Sequence, residues 1–213
     1  MKKISEFFQM IKGHLSPGRR LEAISSADRF NAFLATRSAF IAQKTLYGYV
    51  KTRMGMKYPE MFENDVFIAS LNIAKWQVYA ACLSDLAAFM AARVAAVTGN
   101  EKEARAIALD AFDVVLADRF SDPEFTGDRG QLAQAFADRL ALIDWNHAAA
   151  GEGAFKESPR ALIRWAPIGD ELKKLDKEIV MNSIRFQWQR IRSDFRKAFD
   201  IDAFLADWAR LSA

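Results

Sequence analysis

The sequence predicts an all-α protein, a multi-helix bundle of about seven to nine helices with long central ones. Two observations carry this expectation. Apolar residues recur at spacings of three and four along nearly the whole chain, while strand-like alternation is absent. Residues that start and stop helices also fall at regular intervals, in a chain with only 10 glycines and 5 prolines among 213 residues.

The elements follow in order. Ser5 to Leu15 reads as an amphipathic helix with Ile4, Phe7, Phe8, Ile11 and Leu15 on one face, broken by Ser16-Pro17-Gly18. A long helix begins near Ser26 or Asp28 and ends near Gly55, with Phe30, Phe33, Leu34, Phe40 and Ile41 inward. Gly48 within it suggests a close helix contact or a bend. Pro59 suits the first turn of a short helical piece, where its missing N–H is not needed. Asn64 or Asp65 caps a very long helix that reaches Thr98 and stops at Gly99. Asn100 and Glu103 form a capping-box-like pair for the next helix, which places Ile107, Ala111, Val115 and Leu116 inward and closes at Ser121-Asp122-Pro123.

Asp128 to Gln131 repeats the capping pattern ahead of a face made of Leu132, Phe136, Leu140 and Ile143. Gly151-Glu152-Gly153 is the clearest interior loop, and Ser158-Pro159 opens a short helix through Trp165. Asp170 is positioned to cap the helix that runs to Phe199. In that helix Met181, Ile184, Trp188, Ile191, Phe195 and Ala198 form one apolar stripe, with Arg185, Arg190, Arg192, Arg196 and Lys197 off it. Asp200 or Asp202 caps a terminal turn or two carrying Phe204, Leu205 and Trp208. The organisation expected is an N-terminal amphipathic helix and linker over residues 1–18, then one helical-bundle domain over 19–213.

Val78 to Val97 is the best candidate for a membrane span, but alanine dominates it and Asp85 and Arg93 interrupt it, so a buried helix is the better reading. The lone Cys82 excludes an internal disulfide and fits a reducing compartment. The N-terminus resembles a secretory signal only superficially, because Glu6, Gln9 and Lys12 interrupt its short apolar part. A cytoplasmic location follows, with the inner face of the membrane as an added site of attachment.

Charge is segregated. Residues 1–20 hold five basic side chains against one acid, residues 101–150 five against ten, and residues 179–199 five against one. Basic ends around an acidic middle imply either internal pairing or contact with a polyanion.

Chemistry is sparsely represented. His147 and Asp144, three apart, share a helix face and are the candidates for acid–base work, although a polar pair capping the end of a helix before the glycine loop explains them more simply. The chain contains no Glu-x-x-His, Gly-x-Ser-x-Gly or P-loop pattern, and its one cysteine and two histidines do not make a zinc set. No cofactor or metal is expected. Asn72, Lys75 and Tyr79 lie along one helix face beside Trp76, as an exposed or hydrogen-bonded edge or the lining of a pocket. The basic and aromatic run Thr45 to Tyr58 belongs to no nucleic-acid module.

The function expected is therefore a non-enzymatic helical interaction or adaptor protein, with a protein partner or a second copy bound through Arg185, Arg190, Arg192, Arg196 and Lys197. Lys2, Lys3, Phe7, Phe8, Ile11 and Lys12 would contact a partner or an anionic membrane. Two alternatives stand behind it: an enzyme or carrier holding an apolar small molecule between helices, and nucleic-acid binding through the basic C-terminal helix.

Overall fold

The computed structural model describes residues 22–120 and 127–212, apart from the side chains of Arg119 and Phe120. The expected helix at Ser5–Leu15 and the Ser121-Asp122-Pro123 stop lie outside the described residues.

Within them the chain forms eight α-helices and no strand. These are α1 (Ala27–Met54), α2 (Asp65–Thr98), α3 (Glu101–Phe120), α4 (Arg129–Ala141), α5 (Trp145–Ala150), α6 (Glu157–Trp165), α7 (Asp170–Ala198) and α8 (Ile201–Leu211). Two short 3-10 turns, Gly55–Lys57 and Glu60–Glu63, join α1 to α2. The all-α bundle with long central helices is the fold that the spacing predicts.

Most helix starts use the expected caps. Ser26, Asn64, Asp128 and Asp200 each accept a hydrogen bond from a backbone N–H three residues on. Gly99, at φ 68°, stops α2 in the left-handed region that glycine adopts without strain. At α3 the box is partly rearranged. Asn100 accepts from the Glu103 N–H, but the Glu103 carboxylate accepts from the Asn100 side-chain amide, and the Asn100 N–H donates to Thr98 Oγ1. Two expectations need correction, and a third is narrowed. Gly169, not Asp170, is the capping residue of α7, and Asp170 is its first helical residue. The last helix is eleven residues long rather than a turn or two. A Cβ at Gly48 would meet nothing within 4 Å, so no helix approach depends on that glycine.

Helix α2 is the axis of the bundle. It packs against α1, α3, α5 and α6, and every residue from Cys82 to Ala92 is buried. A helix apolar on all sides must sit inside something. This one is long and apolar enough to cross a membrane, yet 78% of its apolar window is covered by the protein's own helices. The alanines at 87, 88, 91 and 92 have side chains small enough for neighbouring helices to come close.

A phenylalanine cluster joins α7 and α8 to this axis. Phe195 touches Phe30 and Phe33 of α1 and Phe89 of α2, while Phe204 of α8 stacks on Phe30 at 4.9 Å between ring centroids. The two ends of the described chain also meet. The Ile24 N–H donates to the Ala198 carbonyl at 2.8 Å and the Asp200 N–H donates to the Ile24 carbonyl at 3.2 Å, a parallel bridge between Ile24 and Phe199. Asp207 of α8 accepts from the Ala27 N–H at 2.9 Å.

Candidate interaction surface

Helix α7 has two apolar faces, and only one of them meets the bundle. The inner face carries Val180, Ile184, Trp188, Ile191 and Phe195, all buried. The outer face carries Leu172, Leu175, Ile179 and Phe186, the last three 76%, 73% and 67% exposed. At about 100° per residue these four fall within one stripe, roughly opposite the inner one. Helices that only support a core are polar on the outside. A row of large apolar side chains on the solvent face is the usual mark of a contact surface. Glu171, bonded to Lys174 at 3.0 Å, and Glu178 border the stripe at its N-terminal end, and Arg185 and Arg190 border its C-terminal part.

The basic residues expected to form the contact surface divide into two groups. Arg185, Arg190, Arg196 and Lys197 are exposed, and Arg192 is half-buried. Arg185 bonds Asn182 at 3.3 Å, and Arg190 lies 3.9 Å from Asp194. Arg192 and Arg196 bond backbone carbonyls of the fold. The Arg192 guanidinium donates to the Gly151 carbonyl at 3.2 Å and lies over the Phe155 ring. That of Arg196 donates to the Ala150 carbonyl at 3.0 Å and lies over Phe89. Both therefore cover the negative, carbonyl end of α5, a favourable place for a cation. The inner partner of these arginines is backbone oxygen rather than the acidic side chains of residues 101–144.

That end of α5 depends on Gly151, whose φ of 93° is left-handed, and a Cβ there would collide with the Arg192 side chain. Gly151→Ala is expected to lower stability by about 1–2 kcal/mol, from strain and a displaced guanidinium, read as a shift in the urea midpoint.

Asp144 and His147 do sit together, at the start of α5 rather than at a helix end. Asp144 is the capping residue: one carboxylate oxygen accepts from the His147 N–H at 3.0 Å, and the other lies 3.0 Å from His147 Nδ1. The backbone hydrogen bond holds the Asp144 carboxyl below its ordinary value. Both side chains are exposed on an open cleft of about 450 Å³, also lined by Arg139, Ile143, Glu152 and Lys156. Its charges are mixed. No group of three or more metal-ligating side chains occurs among the described residues. Trp76 and Tyr79 are buried, and Lys75 Nζ lies over the Trp76 ring at 4.7 Å. The N-terminal candidates Lys2, Lys3, Phe7, Phe8, Ile11 and Lys12 lie outside the described residues.

A heavily bonded polar group among the described residues is one that the sequence marks only as an interruption of an apolar run. Asp85 of α2 is fully buried and pairs with Arg139 of α4 at 2.9 Å. It also accepts from the Glu157 N–H at 3.1 Å, from the Ser158 N–H at 2.8 Å and from the Ser158 hydroxyl at 2.6 Å. Those two N–H groups open α6, which has no capping side chain of its own. Asp85 is thus the cap of a helix about seventy residues away in sequence. Trp188 of α7 donates its indole N–H to Ser158 Oγ at 3.0 Å, so one carboxylate ties α2, α4, α6 and α7 together. Burial raises the Asp85 carboxyl above its ordinary value, while Arg139 and the Ser158 and Glu157 hydrogen bonds oppose the rise. Burial likewise pushes the nearby Cys82 thiol well up, which fits a packing role. Arg139 also donates to Ser84 Oγ and to the Ala154 carbonyl, so the network is satisfied by protein groups, and we assign it to structure.

The fold alone does not name a class for this protein, and comparison with protein-family models, curated proteins and solved structures finds no match for the chain.

Proposed function

We propose that the protein is a non-enzymatic helical interaction protein whose docking surface is the outward apolar face of α7. The observation that carries this reading is the exposure of Leu175, Ile179 and Phe186 on a helix whose opposite face is already buried. The occupant that fits is an amphipathic helix of a partner protein, apolar at spacings of four, three and four. Its basic end would lie against Glu178, and its acidic end against Arg185 and Arg190. Four apolar side chains are far fewer than the roughly 20–30 residues a side of a standard stable interface, so the association is weak and reversible. The engagement of half-buried Arg192 with the Gly151 carbonyl argues against nucleic acid as the occupant, because it draws one of the five cations in from the basic flank.

The paired variant Ile179→Glu with Phe186→Glu tests this reading. Exposed substitutions change stability by about 0.5 kcal/mol or less, so the melting temperature should stay within a few degrees of wild type. A photo-crosslinker at Leu175, used in the native cell, is expected to capture a helical protein with the stated charge pattern, and the paired variant is expected to abolish that adduct. Adducts unchanged by the two glutamates, or no adducts, would remove the proposal.

A further inference from the structure

We infer that the helix seated on the outward face of α7 is α7 of a second copy, laid antiparallel across a twofold axis. This rests on the reading of that face given above, and it names the partner.

The first support is spacing. Leu172, Ile179 and Phe186 recur every seven residues, and Leu175, Asn182 and Gln189 each follow three positions later. These are the a and d positions of a helix-pairing seam. All six side chains are exposed. The seam also reproduces the occupant described above. Leu175, Ile179, Asn182 and Phe186 are spaced four, three and four, with Asn182 the one polar member.

The second support is charge. One edge of the seam carries Glu171, Glu178 and Arg185, again seven apart, so it is acidic toward the start of α7 and basic further on. A twofold axis at right angles to the helices sets each edge against the same edge of the copy, run in reverse. Leu175 then faces Phe186 of the copy, Ile179 faces Asn182, and Leu172 faces Gln189, each twice by symmetry. In this register Glu178 meets Arg185 of the copy, and Arg185 meets its Glu178. On the other edge Asp176, paired with Arg53 of its own chain, faces Ser183. A parallel pair would instead set Glu171 against Asp176 and Arg185 against Arg190, like charges in both cases.

The bonds these residues make within the chain leave the pairing open. Arg185 donates to Asn182 at 3.3 Å, a contact it exchanges for the Glu178 carboxylate of the copy. Lys174 lies outside the edge, where it bonds Glu171 at 3.0 Å. The seam runs for fewer than three heptads and includes Asn182 and Gln189. Polar seam residues fix register at a cost in stability, so this dimer is weak and dissociates on dilution.

The test uses two full-length variants, Glu171→Cys and Gln189→Cys, which keep all four apolar side chains. The native Cys82 is fully buried and does not compete. Mixed together, they are expected to be joined by a short bismaleimide into a dimer linking position 171 to position 189. Each variant alone should stay unjoined, because like positions lie about 25–28 Å apart along the paired helices. Joining of either variant alone, which a parallel pair would give, overturns the inference, as does no joining in the mixture. Adding Ile179→Glu with Phe186→Glu to both should abolish the linked dimer, and its persistence would mark random collision and overturn the inference as well. Charge exchange checks the register. Glu178→Arg and Arg185→Glu should each self-associate several-fold less tightly than wild type in sedimentation equilibrium, and their equimolar mixture should recover wild-type association. Equal association in all four samples overturns the register. The photo-crosslinker at Leu175 separates this failure from failure of the docking face. An adduct with a second copy supports the inference. An adduct only with a different protein overturns self-pairing and leaves the docking face standing, and no adduct of either kind removes both.

Discussion

Asp85→Leu is expected to destabilise the protein by about 3–5 kcal/mol, the range for removing one member of a buried ion pair. Three losses combine in it. Arg139 keeps its charge in a place where only 17% of its side chain reaches solvent. The Glu157 and Ser158 N–H groups lose the acceptor that starts α6. The Ser158 hydroxyl loses its strongest partner, and the Trp188 indole is then bonded to a group that is itself unanchored. Asp85→Leu with Arg139→Leu should recover part of this, because the isolated charge is gone. It should not recover all of it, because the α6 N–H groups remain uncapped. Urea denaturation of the four proteins completes the cycle, and a double variant no more stable than Asp85→Leu would show that the stranded charge is not the main loss.

The same residue gives a pH dependence of defined sign. Burial holds the folded carboxyl above its ordinary value of 3.8. A raised acid contributes stability that is fully present below the unfolded value and is lost as pH rises through the folded one. Relative to Asp85→Asn, which does not titrate, wild type should therefore be most stable below about pH 4 and lose that advantage as the pH rises.

Trp188→Ala is expected to cost about 3–5 kcal/mol. The indole is almost wholly buried, lies against Phe155 at 4.8 Å between ring centroids, and bonds Ser158. Its removal leaves a cavity where α6 and α7 meet and deprives Ser158 of a donor. Trp188→Phe keeps most of the apolar contact and gives up the hydrogen bond, so it should lose about 1–2 kcal/mol. Thermal unfolding of both variants separates packing from hydrogen bonding. Equal losses in the two would place the weight on the indole N–H.

What was legible in the chain was what is local. Ser26, Asn64, Asp128 and Asp200 act through hydrogen bonds spanning three residues, so their role shows in the sequence. The inner stripe of α7 was legible for the same reason: Ile184, Trp188, Ile191 and Phe195 repeat within one helix and are buried as a set. The start of α6 shows the limit. Ser158-Pro159 marked its position, but its cap arrives from Asp85 on another helix, and no local pattern connects them. Asp85 stood out in an alanine-rich run without revealing Arg139 as its partner. Arg192 and Arg196 were visible as a basic flank, yet their acceptors are backbone carbonyls, which have no residue type to recognise. The outer stripe was in plain view as Leu172, Leu175, Ile179 and Phe186, but it lies beside a stronger aromatic pattern on the same helix. Which of two apolar faces is buried is decided only by the neighbours.

The meeting of Ile24 with Phe199 and of Ala27 with Asp207 has a consequence for synthesis. A chain made from its N-terminus exposes α1 well before the acceptor for the Ala27 N–H and the ring that stacks on Phe30 leave the ribosome. Until α8 emerges, the start of α1 lacks the acceptor for its Ala27 N–H, and Phe30 lacks its stacked ring. A ribosome stalled before residue 200 should therefore hold a nascent chain that binds holdase chaperones more than the released chain carrying all of α8 does.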